Sequence, residues 1–164
     1  MRRFVVEGLS VATGRRRRGL VVGALDETGQ QKRGSATCGV KRQYMGCAGR
    51  VENGISTVHL FYVRQGVGHA LIGARQWIPA EQVTDGDTAA SIGLPADLPF
   101  RTKGELAIDI CREAYAEGVV FDVVCGDEVY GGCTQCGSSW SGTGRRTCCG
   151  WRARSCLSWA TVHG

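Results

Sequence analysis

Apolar residues in this chain fall mostly into short, β-branched runs closed by glycine or an acid. The first run is Leu20-Val21-Val22-Gly23-Ala24-Leu25, followed by Asp26-Glu27-Thr28-Gly29. Runs of this length and composition read as buried strands, so the first core strand is expected over residues 20–25. Residues 29–53 are polar and punctuated by glycine, with a short strand expected over 38–44. A second β-rich run covers Ile55 to Val63. Gly66-Val67-Gly68 can turn the chain, and His69 to Ile78 reads as the returning strand of a hairpin that Pro79 ends. Residues 80–100 read as a loop. Thr102-x-x-Glu105 is a capping box, and the helix behind it is expected to reach Glu117, with Gly118 as its left-handed stop. Leu106, Ala107, Ile110, Cys111 and Ala114 form its apolar stripe. A last run, Val119 to Cys125, leads into Gly126-Asp127-Glu128-Val129-Tyr130-Gly131.

The order is strand, hairpin, loop, helix, strand. Three antiparallel strands, then a helix and a strand parallel to the first, would open an RNase H-like α/β fold with a mixed sheet, present here in part. In that arrangement Asp26 and Asp127 would sit at neighbouring C-terminal strand ends, where α/β folds usually place their sites. Two carboxylates at one sheet edge suit Mg²⁺ and phosphoryl chemistry. The plainer alternative is that each acid caps a helix or shapes a turn.

At 164 residues the chain has room for one domain with a real core. No stretch is long and apolar enough to span a bilayer, and the N-terminus does not read as a signal peptide. Nine cysteines without a framework-like spacing suggest free thiols in a reducing, cytoplasmic setting. The net charge of +5 is unevenly spread: residues 1–50 carry +8, residues 51–135 carry −7 and residues 136–164 carry +4. The basic first third could track phosphates through Arg15 to Arg18, Lys32, Arg33, Lys41, Arg42 and Arg50. For Arg15–Arg18 a solvated run on a linker is an equal alternative. Lys32-Arg33 and Lys41-Arg42 are closer in sequence to Asp26. His59 and His69 read as structural, Trp77 and Phe61 as core. Arg50, Glu52 and Asn53 are a polar cluster expected to line a DNA cleft.

Several words in order resemble the catalytic core of bacterial insertion-sequence transposases of the DDE superfamily. They are Asp26-Glu27-Thr28-Gly29, Lys32-Arg33-Gly34, Gly39-Val40-Lys41-Arg42-Gln43-Tyr44, Ala48-Gly49-Arg50-Val51-Glu52-Asn53, Phe100-Arg101-Thr102-Lys103 and Gly126-Asp127-Glu128-Val129-Tyr130-Gly131. The resemblance covers about residues 1–135. It implies a phosphodiester-cutting enzyme with two Mg²⁺ or Mn²⁺ ions, Asp26 and Asp127 as first and second acids, and element-end and target DNA as partners. It also implies a cytoplasmic, nucleoid-associated protein, oligomeric on DNA in its parent family. The family's third acid, a Glu on a later helix, has no match here, and neither does its upstream helical DNA-binding region. Both ends therefore read as cut, and the chain as an inactive remnant. A different RNase H-like nuclease is the nearest rival.

After Gln135 the composition changes. Residues 136–164 contain no Asp, Glu or Lys, but four Cys, three Trp, four Arg and five Gly. The expected organisation is therefore a leader over 1–19, a partial core over 20–135, and a disordered or misfolded tail over 136–164. One reading of the tail is a zinc-dependent DNA-binding module on Cys133-x-x-Cys136, Cys148-Cys149 and Cys156, although the spacing is poor. The other is a shifted frame. Cys and Trp codons begin TG, so joined to the preceding base they encode Met, Val or Leu. With GC-rich codon choices, residues 136–151 can re-read as Val-Arg-Glu-Phe-Leu-Glu-Arg-His-Gly-Gln-Ala-Tyr-Val-Leu-Arg-Val, which is an amphipathic helix, a glycine stop and an apolar strand.

Overall fold

The computed structural model describes residues 2–11, 19–127, 130 and 146–149, the last four and residues 10 and 11 by backbone alone. Arg15–Arg18, Glu128, Cys133, Cys136, Cys156, His163 and the rest of the tail apart from residues 146–149 lie outside the described residues. The elements, in chain order, are α1 (Arg2–Val11), β1 (Val21–Gln31), β2 (Lys41–Met45), β3 (Arg50–Arg64), β4 (Gly68–Trp77), α2 (Ala80–Thr84), α3 (Gly86–Ser91), α4 (Lys103–Ala116), β5 (Val123–Gly126) and β6 (Arg146–Cys149). Together they make a mixed α/β architecture around one six-stranded sheet in the order β2-β3-β1-β5-β6. β4 also pairs with β3, so β2 and β4 share that strand's outer edge, β2 along residues 50–54 and β4 along residues 56–64. β1 and β3 are antiparallel, and β5 runs parallel to β1. This is the strand pairing expected of the opening of an RNase H-like fold.

Several boundaries differ from the sequence reading; β3 begins at Arg50 rather than Ile55, and β5 covers Val123–Gly126 rather than the whole run from Val119. β1 does not stop at Leu25 but continues to Gln31, because β3 offers it eleven consecutive partners, from Arg64 to Gly54. Asp26 therefore lies inside a strand, at the point where the parallel pairing with β5 runs out. The short strand expected over 38–44 is β2, shifted to Lys41–Met45. Residues 80–100 hold two short helices, α2 and α3. Gln82 of α2 accepts from the Gly39 backbone N–H at 2.8 Å and donates to the Val40 carbonyl at 2.9 Å, which ties this segment to the start of β2.

Alternation in the strands sorts the two sheet faces. Leu25, Val58, Leu60, Tyr62 and Val124 point to the side covered by α4 and join Ala107, Ile108, Ile110, Cys111, Ala114, Val119 and Phe121 in the core. Burying each of the larger aliphatic side chains contributes about 1.5–3 kcal/mol. α4 begins as expected. The Thr102 hydroxyl accepts from the Glu105 backbone N–H at 3.2 Å, and the Glu105 carboxylate accepts from the Thr102 backbone N–H at 2.8 Å. These bonds hold the Glu105 carboxyl below its usual range, the backbone bond from Thr102 contributing most. The helix ends at Gly118, whose φ of +83° suits glycine. Phe61 departs from its assignment: it lies on the opposite sheet face, half-buried and outside the core.

α1 is fastened to this body by Arg2. Its guanidinium donates to the Ile72 carbonyl at 2.6 Å, to Glu117 at 2.7 Å and to Glu113 at 2.8 Å, and Arg75 reaches Glu113 from β4. Val6 and Leu9 pack on the core beside it. The Arg2 hydrogen bond is the chief cause that lowers the Glu113 carboxyl, helped by Arg75 and opposed by partial desolvation. A carboxyl lowered in the folded state stabilises above its unfolded value and loses that contribution as pH falls through the folded value. Docking of α1 should thus be insensitive to pH above roughly 4.3, the ordinary glutamate value, and weaken below it. Hydrogen exchange of the α1 amides between pH 6 and 3 reads this. Glu113→Gln should flatten the pH dependence, and an unchanged profile in that variant would remove Glu113 as its cause.

Candidate metal and nucleic-acid site

The face of the sheet away from α4 carries the candidate chemistry. On β1 this face shows Val22, Ala24, Asp26, Thr28 and Gln30. The parallel register pairs Val22 with Val123, Gly23 with Val124 and Ala24 with Cys125. Continued by two residues, it sets Asp26 beside Asp127. Packing at Gly126 agrees: a Cβ there would lie 3.3 Å from the Leu25 Cβ, so Leu25 and Gly126 are neighbours. In-register residues of parallel strands about 4.8 Å apart present their side chains to the same face. Both acids are exposed. The Asp26 carboxylate accepts one hydrogen bond, from the backbone N–H of Glu27 at 2.8 Å.

Glu27 points the other way, as its position in the strand requires. Lys103 at the start of α4 meets its Oε2 at 2.6 Å, and the same ammonium lies 5.3 Å from the Trp77 ring centroid. This buried-side contact fastens the helix start beneath the strand that carries Asp26. Sequence reasoning passed over Lys103, although its place two residues before the capping-box glutamate was visible.

His59 is the direct cross-strand partner of Asp26. Its Nδ1 lies 3.2 Å from the Thr28 hydroxyl, and its ring meets Phe61 edge-on at 6.1 Å. It therefore borders the acids rather than lining the core. Among the described residues, no three His, Cys, Asp or Glu side chains converge to hold a metal ion. The oxygen donors at this sheet edge are two exposed carboxylates, a set that fits a hard divalent cation.

The candidate DNA-contacting residues divide between the faces. The Lys32 backbone N–H donates to the Asn53 carbonyl at 2.8 Å, and Asn53 is the ladder partner of Arg42. Lys32, Asn53 and Arg42 thus form a row on the Asp26 face, and Arg33 is exposed just beyond β1. Lys41 and Arg50 face the other way. Lys41 meets Glu81 at 2.8 Å and lies 5.9 Å from the Trp77 centroid, and Arg50 meets Glu52 at 2.7 Å. The Lys41 hydrogen bond is the main cause that lowers the Glu81 carboxyl.

Comparisons with known proteins bear on this arrangement. The family model described as DDE superfamily endonuclease matches residues 2–157, so the match runs beyond the resemblance seen over about residues 1–135. A protein of Microchaete diplosiphon described as "Probable transposase for insertion sequence element IS701" is 35% identical over 107 residues, covering 65% of this chain and 25% of that protein. The chain therefore spans about a quarter of the length of this curated relative. No solved structure matches the chain. No helix among the described residues is long and apolar enough to cross a membrane.

Proposed function

Since the chain belongs to the DDE superfamily of endonucleases, we propose that its sheet is the opening part of a core that cuts and joins DNA phosphodiester bonds during transposition of an insertion sequence. The observation that supports this reading is the parallel β1–β5 register, which runs to Ala24 and Cys125 and, continued by two residues, would bring Asp26 and Asp127 side by side. Asp26 and Asp127 would hold divalent cations, Mg²⁺ or Mn²⁺. When bound, such ions polarise a phosphate and stabilise the leaving oxygen. Lys32, Arg33, Arg42 and Asn53 would bind the DNA backbone, with Lys41 and Arg50 contributing only after release from Glu81 and Glu52. The zinc alternative rests on tail cysteines whose side chains lie outside the described residues, and no observation favours it.

Mn²⁺ binding to the 164-residue chain, followed by the loss of free-ion paramagnetic resonance, tests the metal reading. Asp26→Asn and Asp127→Asn should each weaken binding at least about tenfold, a change near 1.4 kcal/mol. Glu27→Gln should leave it in place. Equal binding by wild type and both aspartate variants would exclude the pair as ligands. Terminal-repeat DNA flanking the gene would separate a transposase from another RNase H-like nuclease.

A further inference from the structure

We propose that the tip of the β2–β3 hairpin, formed by Tyr44 and Val51, is a stacking platform for an unpaired DNA base. The proposal rests on the DNA-processing reading above and adds a second contact site to it.

Tyr44 is 68% exposed and Val51 is 48% exposed. They are direct partners in the β2–β3 ladder, so they stand on one face, with Cβ atoms about 5 Å apart. That face is the one that carries Asp26. From His59, opposite Asp26, the open-face positions along β3 are Thr57, Ile55, Asn53 and Val51. Eight residues of strand separate His59 from Val51, which is about 26 Å at 3.3 Å per residue.

Charge says what this tip meets. Between the acids and the tip lie Arg42 and Lys32, neither with an acidic partner among the described residues. The cations on the opposite face of the hairpin, Lys41 and Arg50, are neutralised by Glu81 and Glu52. Among the described residues of this hairpin and the end of β1, unpaired positive charge thus lies on the side that also holds the apolar tip. A protein partner or second copy seated on Tyr44 and Val51 would have to bury these two cations. A nucleic-acid strand would neutralise them with phosphates and offer a base to the ring. An exposed aromatic beside unpaired cations is the combination that binds single strands, because every base has a stackable face.

The test uses the 164-residue chain and two DNAs of equal length, one fully paired and one with a short unpaired end carrying 2-aminopurine. The wild type should prefer the unpaired end by roughly tenfold and quench its fluorescence. Tyr44→Ala should lose both effects while binding the duplex as before, and Tyr44→Trp should keep them. Arg42→Ala should weaken both DNAs alike and lower the salt dependence. Duplex binding without a preference, or a preference that survives Tyr44→Ala, overturns the stacking platform and leaves the DNA-processing reading standing. A Tyr44-dependent dimer in place of DNA contact would also overturn it. No salt-dependent binding to either DNA would remove the DNA-processing reading and the platform with it.

Discussion

Purified and supplied with Mg²⁺ or Mn²⁺, the 164-residue polypeptide is expected to leave supercoiled DNA carrying element ends uncut. The proposed site gathers two carboxylates where the resemblance implies three. Glu27 cannot substitute, because its place in β1 turns it to the helix side, where Lys103 holds it. Losing one preorganised charge-stabilising group commonly costs a hundred- to thousandfold in rate. Nicking assays over hours, with intact plasmid as the readout, have that sensitivity. Metal-dependent nicking that disappears in Asp26→Ala would sink the claim of inactivity.

The elements that carry the candidate site were largely legible in the sequence because strand periodicity and the capping box are local signals. The apolar run before Asp26, the hairpin from Ile55 to Ile78 and the helix opening at Thr102 all follow from nearest neighbours in the chain. So does the divergence of Glu27 from Asp26, since adjacent strand residues face opposite ways. What escaped depends on partners distant in sequence. β1 extends to Gln31 because β3 pairs with it to Gly54, which polar composition alone does not announce. His59 looked structural inside an apolar run, yet the β1–β3 register places it across from Asp26. Six basic and amide positions looked alike as phosphate contacts. Only the fold shows that Lys41 and Arg50 are neutralised while Arg42 and Lys32 remain on the acid-bearing face. Tyr44 sat inside a recognised word, and its exposure appears only once β2 is known to hang on the far end of β3.

Restoring a single base near codon 135 is expected to open a long frame rich in Leu, Val and acidic residues, and the protein it encodes should cut DNA where the 164-residue chain does not. The motivation is chemical: residues 136–164 lack Asp, Glu and Lys altogether, while a shifted frame with GC-rich codons can write a helix, a glycine and an apolar strand. β6, parallel to β5, occupies Arg146–Cys149, four positions that the shifted frame with GC-rich codons can write as Ala-Tyr-Val-Leu. An apolar strand there would suit a sheet position next to β5 better than a strand beginning Arg-Thr. The acid that completes the site would then be supplied downstream. In the restored protein Asp26→Ala should lower cleavage by at least about a thousandfold, equivalent to roughly 4 kcal/mol of barrier. The rival outcome is set by the family match, which reaches residue 157. Nucleotide sequence in which no such frame opens would make the Cys- and Trp-rich tail native. Cleavage by the restored protein that survives Asp26→Ala would remove Asp26 from the chemistry.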